Sequence, residues 1–274
     1  MKPKLIALDL DETLLDLESR LTTGNDAALR RAIQQGVEIA VATGRANDTI
    51  PEEIRRYPGI RYAITGNGAA VYALKTGQAL FRQTLNPHAA QEILDRMEGL
   101  DVSYEIFVNG AAYAQEDYLR QLDQYMMDDH RQRYVRSTRR PVPDIRAFLL
   151  EHRQTLDSVA VIPRNLEVRQ QVLERMSRME GVYVTTSNIR LVEINHKNCT
   201  KAAGLKYLAG ILGIDQKDTA AFGNGDNDAE MLRWAGCGVS VAEGTACCRA
   251  AADYVAGSYL QDAVAEAVQE IFGI

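Results

Sequence analysis

The run Lys4 to Leu8 has no polar break before it stops on Asp9-Leu10-Asp11-Glu12-Thr13. A strand with one wet face alternates apolar and polar residues. An unbroken apolar run implies burial on both faces, the condition of a parallel strand in an α/β sheet. The next segments keep to that pattern. Asn25 to Gln35 sets Ala28, Leu29, Ala32 and Ile33 at helical spacing and stops at Gly36. Val37 to Ala42 is apolar and β-branched and ends at Thr43-Gly44-Arg45, a helical stretch reaches about Tyr57, and Tyr62 to Thr65 makes a third strand. Strand, helix, strand, helix, strand predicts a doubly wound, mostly parallel α/β sheet of Rossmann-like type.

The same order returns near the end. Leu191 to Ile194 reads as a strand, Lys201 to Leu212 as a helix, Thr219 to Phe222 as a strand and Asp226 to Trp234 as a helix. Gly238 to Val241 and Tyr254 to Val255 are short strands, and a last helix spans about Leu260 to Phe272. Between the two halves, helical segments (Ala89 to Met97, Tyr118 to His130, Asn165 to Met179) mix with strand-like runs at Val102 to Val108, Ser158 to Ile162 and Tyr183 to Thr185. The expected organisation is one discontinuous core, residues 1–83 and 187–274, interrupted by an α+β insertion over 84–186.

Composition narrows the function. Of 274 residues 46% are hydrophobic and 25% charged, the globular average, which argues against disorder. The net charge of -6 disfavours nucleic acid as a partner. No apolar run is long enough to cross a bilayer, and carboxylates interrupt the N-terminal apolar stretch, so neither a membrane nor a secretory signal is expected. Cys199, Cys237, Cys247 and Cys248 lack metal-ligand spacing and read as small buried hydrophobes, which places the chain in the cytoplasm. The basic run His130 to Arg140 reads as a solvated helix end or loop.

In an open α/β sheet, ligands collect outside the carboxyl ends of the strands. Asp9 to Thr13, Thr43 to Arg45, Lys201 at a helix start, and Gly223-Asn224-Gly225-Asp226-Asn227-Asp228 all fall at such ends. Their residue types suit phosphoryl transfer, which needs an in-line nucleophile, neutralised phosphoryl oxygens and a proton donor for the leaving alcohol. Asp9 suits the nucleophile and Asp11, two residues on, the general acid and then base. Thr43 offers a hydroxyl and Lys201 a point charge to the phosphoryl oxygens. Oxygen ligands from Asp9 and the last loop suit Mg²⁺.

The segments LIALDLDETLL, VATGR, Asn67-Gly68-Ala69, KAAGLKYLAGILGI and AFGNGDNDAEML together resemble the haloacid dehalogenase superfamily phosphatases, of the Cof-type group with an inserted α/β cap. The resemblance implies a Mg²⁺-dependent phosphatase that hydrolyses phosphate monoesters of small metabolites, such as a sugar phosphate or phosphorylated cofactor, through an aspartyl-phosphate. Asp9 is then nucleophile and Asp11 acid/base. Leu10, Thr43, Gly44, Lys201 and Asn227 form the phosphate-binding set, and Arg45 and Asn67 the substrate-binding set. Mg²⁺ is held by the Asp9 side chain, the Asp11 backbone carbonyl and the last loop. The chain departs from the family at Glu12, where glycine is usual, and at Asn224, where a metal-binding aspartate is usual, so Asn224 or Asp228 supplies the remaining ligand. Two other readings stay open: a phosphomannomutase-like phosphotransferase, and a binding or regulatory protein with weakened turnover. A monomer or homodimer is expected.

Overall fold

In the computed structural model, which describes residues 2–274, the run Leu5–Leu8 forms strand β1 with all four residues buried. The following strands are β2 (Glu38–Ala42), β3 (Ile60–Thr65), β4 (Ala70–Ala73), β5 (Gln78–Arg82), β6 (Val102–Val108) and β7 (Ala111–Gln115). After them come β8 (Arg140–Val142), β9 (Leu156–Pro163), β10 (Val182–Thr185), β11 (Val192–His196), β12 (Thr219–Gly223), β13 (Cys237–Ser240) and β14 (Tyr254–Val255).

One sheet has the order β14-β13-β12-β1-β2-β3-β4-β5. It is parallel from β14 through β3, and β4 returns antiparallel to β3. The unbroken apolar strands follow from cover on both faces. Ile6, Leu8, Ile39, Val41 and Phe222 pack with Ala28 and Leu29 of the helix Thr23–Gln34 and with Val264 and Val268 of the helix Ala263–Phe272. Leu5, Ala7, Ala40, Ala42 and Ala221 face the other way, onto Leu205 and Leu208 of the helix Lys201–Leu212 and Leu232 of the helix Ala229–Trp234. From β1 the chain builds outward to β2 and β3 on one side, and later to β12, β13 and β14 on the other. The carboxyl end of β1 is therefore the topological switch point, where a crevice opens.

The second sheet has the order β10-β11-β9-β6-β7-β8, antiparallel except for the β7–β8 pair. One face, with Ile106, Val159, Val161 and Ile194, lies under helices Pro87–Arg96, Ile145–Glu151 and Leu166–Met176. The other face carries Phe107, Ala112, Ala114 and Ala160, packed with Tyr118, Leu122, Tyr125 and Val135. The chain divides into two compact units: residues up to 45, 50–81 and 200–274 form the first, and 46–49 and 82–199 the second.

Three expectations are corrected. The strand expected at Leu191 to Ile194 in the core is β11, and it hydrogen-bonds between β9 and β10, so residues 187–199 join the second unit. The helix expected to run to Tyr57 is broken into Asn47–Thr49 and Glu52–Arg55, because Pro51 has no N–H to continue it. The helix expected over Tyr118 to His130 is broken into Glu116–Arg120, a 3₁₀ turn Leu122–Gln124 and Asp129–Thr138; Met126 before the last has a positive φ, and Asp128 caps that helix by accepting from the Arg131 N–H. Among the described residues no helix is long and apolar enough to cross a membrane.

Candidate active site

Every part of the candidate site lies in the first unit. Asp9 is the first residue past β1, and its N–H donates to the Phe222 carbonyl at 3.1 Å, which ties it to the end of β12. Its carboxylate is buried and its Oδ1 accepts from Lys201 Nζ at 2.6 Å. The same ammonium donates to Asp228 Oδ1, also at 2.6 Å. Lys201 opens its helix, whose N-cap Thr200 accepts from the Ala203 N–H, so the lysine stands at the positive end of a twelve-residue helix. Burial works to lower the Lys201 pKa, but Asp228 and Asp9 outweigh it and hold the ammonium well above the usual lysine range.

Two buried carboxylates share one ammonium, which leaves a net negative charge in a dry place. Burial first, and then the Asp228 carboxylate, push the Asp9 pKa up to about 7 against the pull of Lys201. A second cation would relieve that charge.

Asp228 is fully buried and its other oxygen, Oδ2, accepts from the N–H groups of Asn224 (3.0 Å) and Gly225 (2.9 Å). It therefore clamps the last loop onto Lys201. Gly223 is required for this fit, since a Cβ there would come within 2.4 Å of the Asp228 side chain. Asn224, half-buried, makes no side-chain hydrogen bond among the described residues, so its Oδ1 stays open as an oxygen donor. Asp226 is exposed and accepts from Thr245 Oγ1 at 2.6 Å. Asn227 Nδ2 donates to Asn67 Oδ1 at 3.0 Å, both residues being buried.

Thr43 is the first residue past β2; its N–H donates to the Ile64 carbonyl and its Oγ1 accepts from the Arg45 N–H at 3.1 Å. Leu10 has its side chain in the core, and Gly44 has none, so what either offers an anion is backbone N–H. Arg45 takes up a role that its sequence position did not reveal. Its Nε (2.8 Å) and Nη2 (2.5 Å) grip the two oxygens of Asp11, and Nη2 also donates to Ser19 Oγ at 3.0 Å. The structure places Arg45, expected in the substrate-binding set, as a fork on Asp11. Ser19, absent from the expected set, has no motif that could have flagged it.

Among the described residues no three His, Cys, Asp or Glu side chains form a metal-binding group. The donor set is nonetheless that of a hard cation: the net-negative Asp9 and Asp228 pair, the open Asn224 amide oxygen, and backbone carbonyls of the Asp9 to Thr13 turn. Mg²⁺ takes oxygen ligands and retains waters, so it needs few protein carboxylates. The residues fit it. A groove of about 730 Å³ at the other end of β3, lined by Arg55, Tyr57, Arg61 and Lys75, holds none of these groups.

The family model of haloacid dehalogenase-like hydrolases matches residues 6–268. An HMP-PP phosphatase of Cronobacter sakazakii is 28% identical over 238 residues, 86% of this chain and 83% of that protein. A 5-amino-6-(5-phospho-D-ribitylamino)uracil phosphatase of Bacillus subtilis is 24% identical over 266 residues, 97% of this chain and 94% of that protein. The solved structure of a haloacid dehalogenase-like hydrolase from B. subtilis superposes with a TM-score of 0.84 at 27% identity, covering 98% of this chain and 99% of that one.

Proposed function

The chain belongs to the haloacid dehalogenase-like hydrolases, and from that premise we propose that it is a Mg²⁺-dependent phosphatase of small phosphorylated metabolites, working through an aspartyl-phosphate on Asp9. The observation that carries this reading is the buried Asp9–Lys201–Asp228 cluster at the switch point of the sheet. The phosphatases it resembles act, by their names, on different small phosphorylated compounds, which supports the substrate class and leaves the individual substrate to the second unit. We assign that unit the role of reading the organic part of the ester.

The steps balance with the side chains present. An Asp9 carboxylate oxygen attacks phosphorus as the bond to the ester oxygen breaks, and Asp11 gives its proton to the leaving alkoxide. Water then attacks the phosphorus of the aspartyl-phosphate and gives a proton to Asp11. The electron pair of the Asp9 O–P bond returns to the carboxylate, and inorganic phosphate leaves. Lys201 neutralises phosphoryl charge throughout, and the Thr43 hydroxyl donates to a phosphoryl oxygen. Asp228 keeps Lys201 charged and the last loop in place, and Arg45, which pairs with both Asp11 oxygens, must release one of them for that oxygen to carry the proton. The Asp9 carboxylate, the Asp11 carbonyl and Asn224 Oδ1 would hold Mg²⁺, which would supply further positive charge at the phosphoryl oxygens. Four unbridged cysteines suit the cytoplasm as its compartment.

Release of phosphate from an aryl phosphate, with Mg²⁺ and with excess chelator, tests the reading. Turnover that requires Mg²⁺ and disappears in Asp9→Asn is the expected result. Full activity in Asp9→Asn, or indifference to chelation, would sink it.

A further inference from the structure

The groove at the amino end of β3 carries a charge opposite to that of the whole chain. It holds about 730 Å³, within the range of small-molecule sites, and its walls belong entirely to the first unit. One wall is the helix Glu52–Arg55 with the Tyr57-Pro58-Gly59 turn behind it. The other is the end of the β3–β4 pair, where Tyr62 stands opposite Ala73 and the Leu74 N–H donates to the Arg61 carbonyl at 2.9 Å. Tyr57 and Ile60 are buried, and Tyr62 and Leu74 half-buried, so part of the lining is apolar and carries two rings. The Tyr57 hydroxyl donates to Asp26 Oδ1 at 2.5 Å, which leaves its ring as apolar surface.

Four cations, Arg55, Arg56, Arg61 and Lys75, line this groove against one carboxylate, Glu52. Glu52 is shared between Arg56 and Arg55, the second at 3.7 Å. Arg61 Nε donates to Glu38 Oε2 at 3.0 Å, and its guanidinium packs on the Tyr62 ring, 5.7 Å from the centroid. Lys75 is exposed and makes no ion pair or hydrogen bond among the described residues. With Glu38 counted beside Glu52, two positive charges still remain here, in a chain whose net charge is -6. The Arg56 and Arg61 side chains are 80% and 56% exposed, and ion pairs so exposed contribute little. An incoming anion can therefore take over both guanidiniums at small cost.

We propose that this groove is a second ligand site, apart from the catalytic carboxylates, for a heteroaromatic organic phosphate such as a nucleoside phosphate. The phosphate takes the planar forks of Arg56 and Arg61 and the ammonium of Lys75, and guanidinium geometry matches phosphate in pairs of hydrogen bonds. The heteroaromatic body covers Tyr62 and Leu74. A sugar phosphate would leave that apolar lining wet, and a hydrocarbon would leave the cations unanswered. Asp9 and Thr43 follow the carboxyl ends of β1 and β2, whereas the groove lies at the amino end of β3, about 15–20 Å away along a six-residue strand.

Isothermal titration calorimetry in chelator, with ADP as the probe and adenosine and inorganic phosphate as controls, tests the site without relying on turnover. ADP should bind once per chain, and each control about 10-fold more weakly or less, since each offers half of the recognised chemistry. The double variant Arg56→Glu, Lys75→Glu should weaken ADP binding by about 10-fold or more. Asp9→Asn should bind ADP as the parent does. Circular dichroism checks the fold of each variant, and Arg61→Gln carries the test if the double variant does not fold. No saturable ADP binding up to millimolar concentration overturns the proposal, as does unchanged affinity in the folded groove variants. Inorganic phosphate binding as tightly as ADP overturns it too, because the apolar lining then contributes nothing. A salt-sensitive dimer in sedimentation that the double variant breaks would assign the groove to a second copy of this chain instead.

Discussion

At the scale of single residues, Asp9 combines the attributes a nucleophile needs with a cost in stability. Its pKa is about 7 in the fold against 3.8 for the free side chain, with burial as the first cause. A carboxyl whose pKa is raised by folding stabilises the fold while protonated, and that contribution is lost as pH rises through the folded value. In chelator, the protein should therefore lose stability between about pH 4 and pH 7 through this group. Asp9→Asn, which reduces the buried cluster to one carboxylate and one ammonium, should remove that slope and raise the melting temperature at pH 7.5 while abolishing turnover. Thermal denaturation of both proteins across pH checks it. Arg45 is the second residue with a specific consequence. Its buried side chain holds both oxygens of Asp11, so Arg45→Gln should lower kcat by about 10- to 100-fold, a fraction of what a general acid contributes, and leave KM nearly unchanged. Steady-state kinetics on an aryl phosphate separates the two constants. Glu12 explains one departure from the family pattern: its φ of 57° lies in the left-handed region that favours the glycine usual there.

At the scale of elements, the site depends on turns that bring loops unusually close. Asn67, with Gly66 and Gly68, follows β3 in left-handed conformations. Gly68 has φ +98°, and a Cβ on it would lie 2.1 Å from the Thr200 carbonyl oxygen. The turn is therefore pressed against the residue that caps the Lys201 helix. Gly68→Ala combines backbone strain with that collision and should cost about 2 kcal/mol or more, with loss of activity because Lys201 is displaced. Urea denaturation reads the first effect and phosphate release the second. The segment Asn67-Gly68-Ala69 stood out in the sequence only as part of a resemblance, and neither its left-handed turn nor its partner did, since Thr200 lies more than a hundred residues away in the chain.

At the scale of the whole molecule, each unit has its own sheet and its own apolar clusters. A fragment of residues 82–199 should therefore fold cooperatively by itself. Its stability should fall below that in the full chain, because it lacks residues 46–49, which belong to this unit. Ala46 sits in its cluster with Phe107, and Asp48 pairs with Arg140 at 2.8 Å. Circular dichroism with thermal melting checks it, and a fragment without a cooperative transition would show that the second unit leans on the first. A boundary at residue 187, as the strand pattern suggested, would cut β11 from its neighbours and should give a fragment that does not fold.

How much could be read in advance follows from the range of each interaction. Local pattern sufficed for the α/β grammar, because burial on both faces writes itself into each strand as an unbroken apolar run. It also sufficed for Asp9, Thr43, Lys201 and the last loop as candidates, because each polar cluster directly follows an apolar segment or opens a helix. Only the tertiary structure decided what those groups do to one another. Local pattern did not show that Lys201 bridges Asp9 and Asp228, that Arg45 turns to Asp11, that β11 pairs within the second sheet, or that Arg139 from a basic run is buried against Glu105. Each of these is a contact between residues distant in the chain, and side-chain partners are selected by distance and burial in the folded state, neither of which a one-dimensional pattern contains.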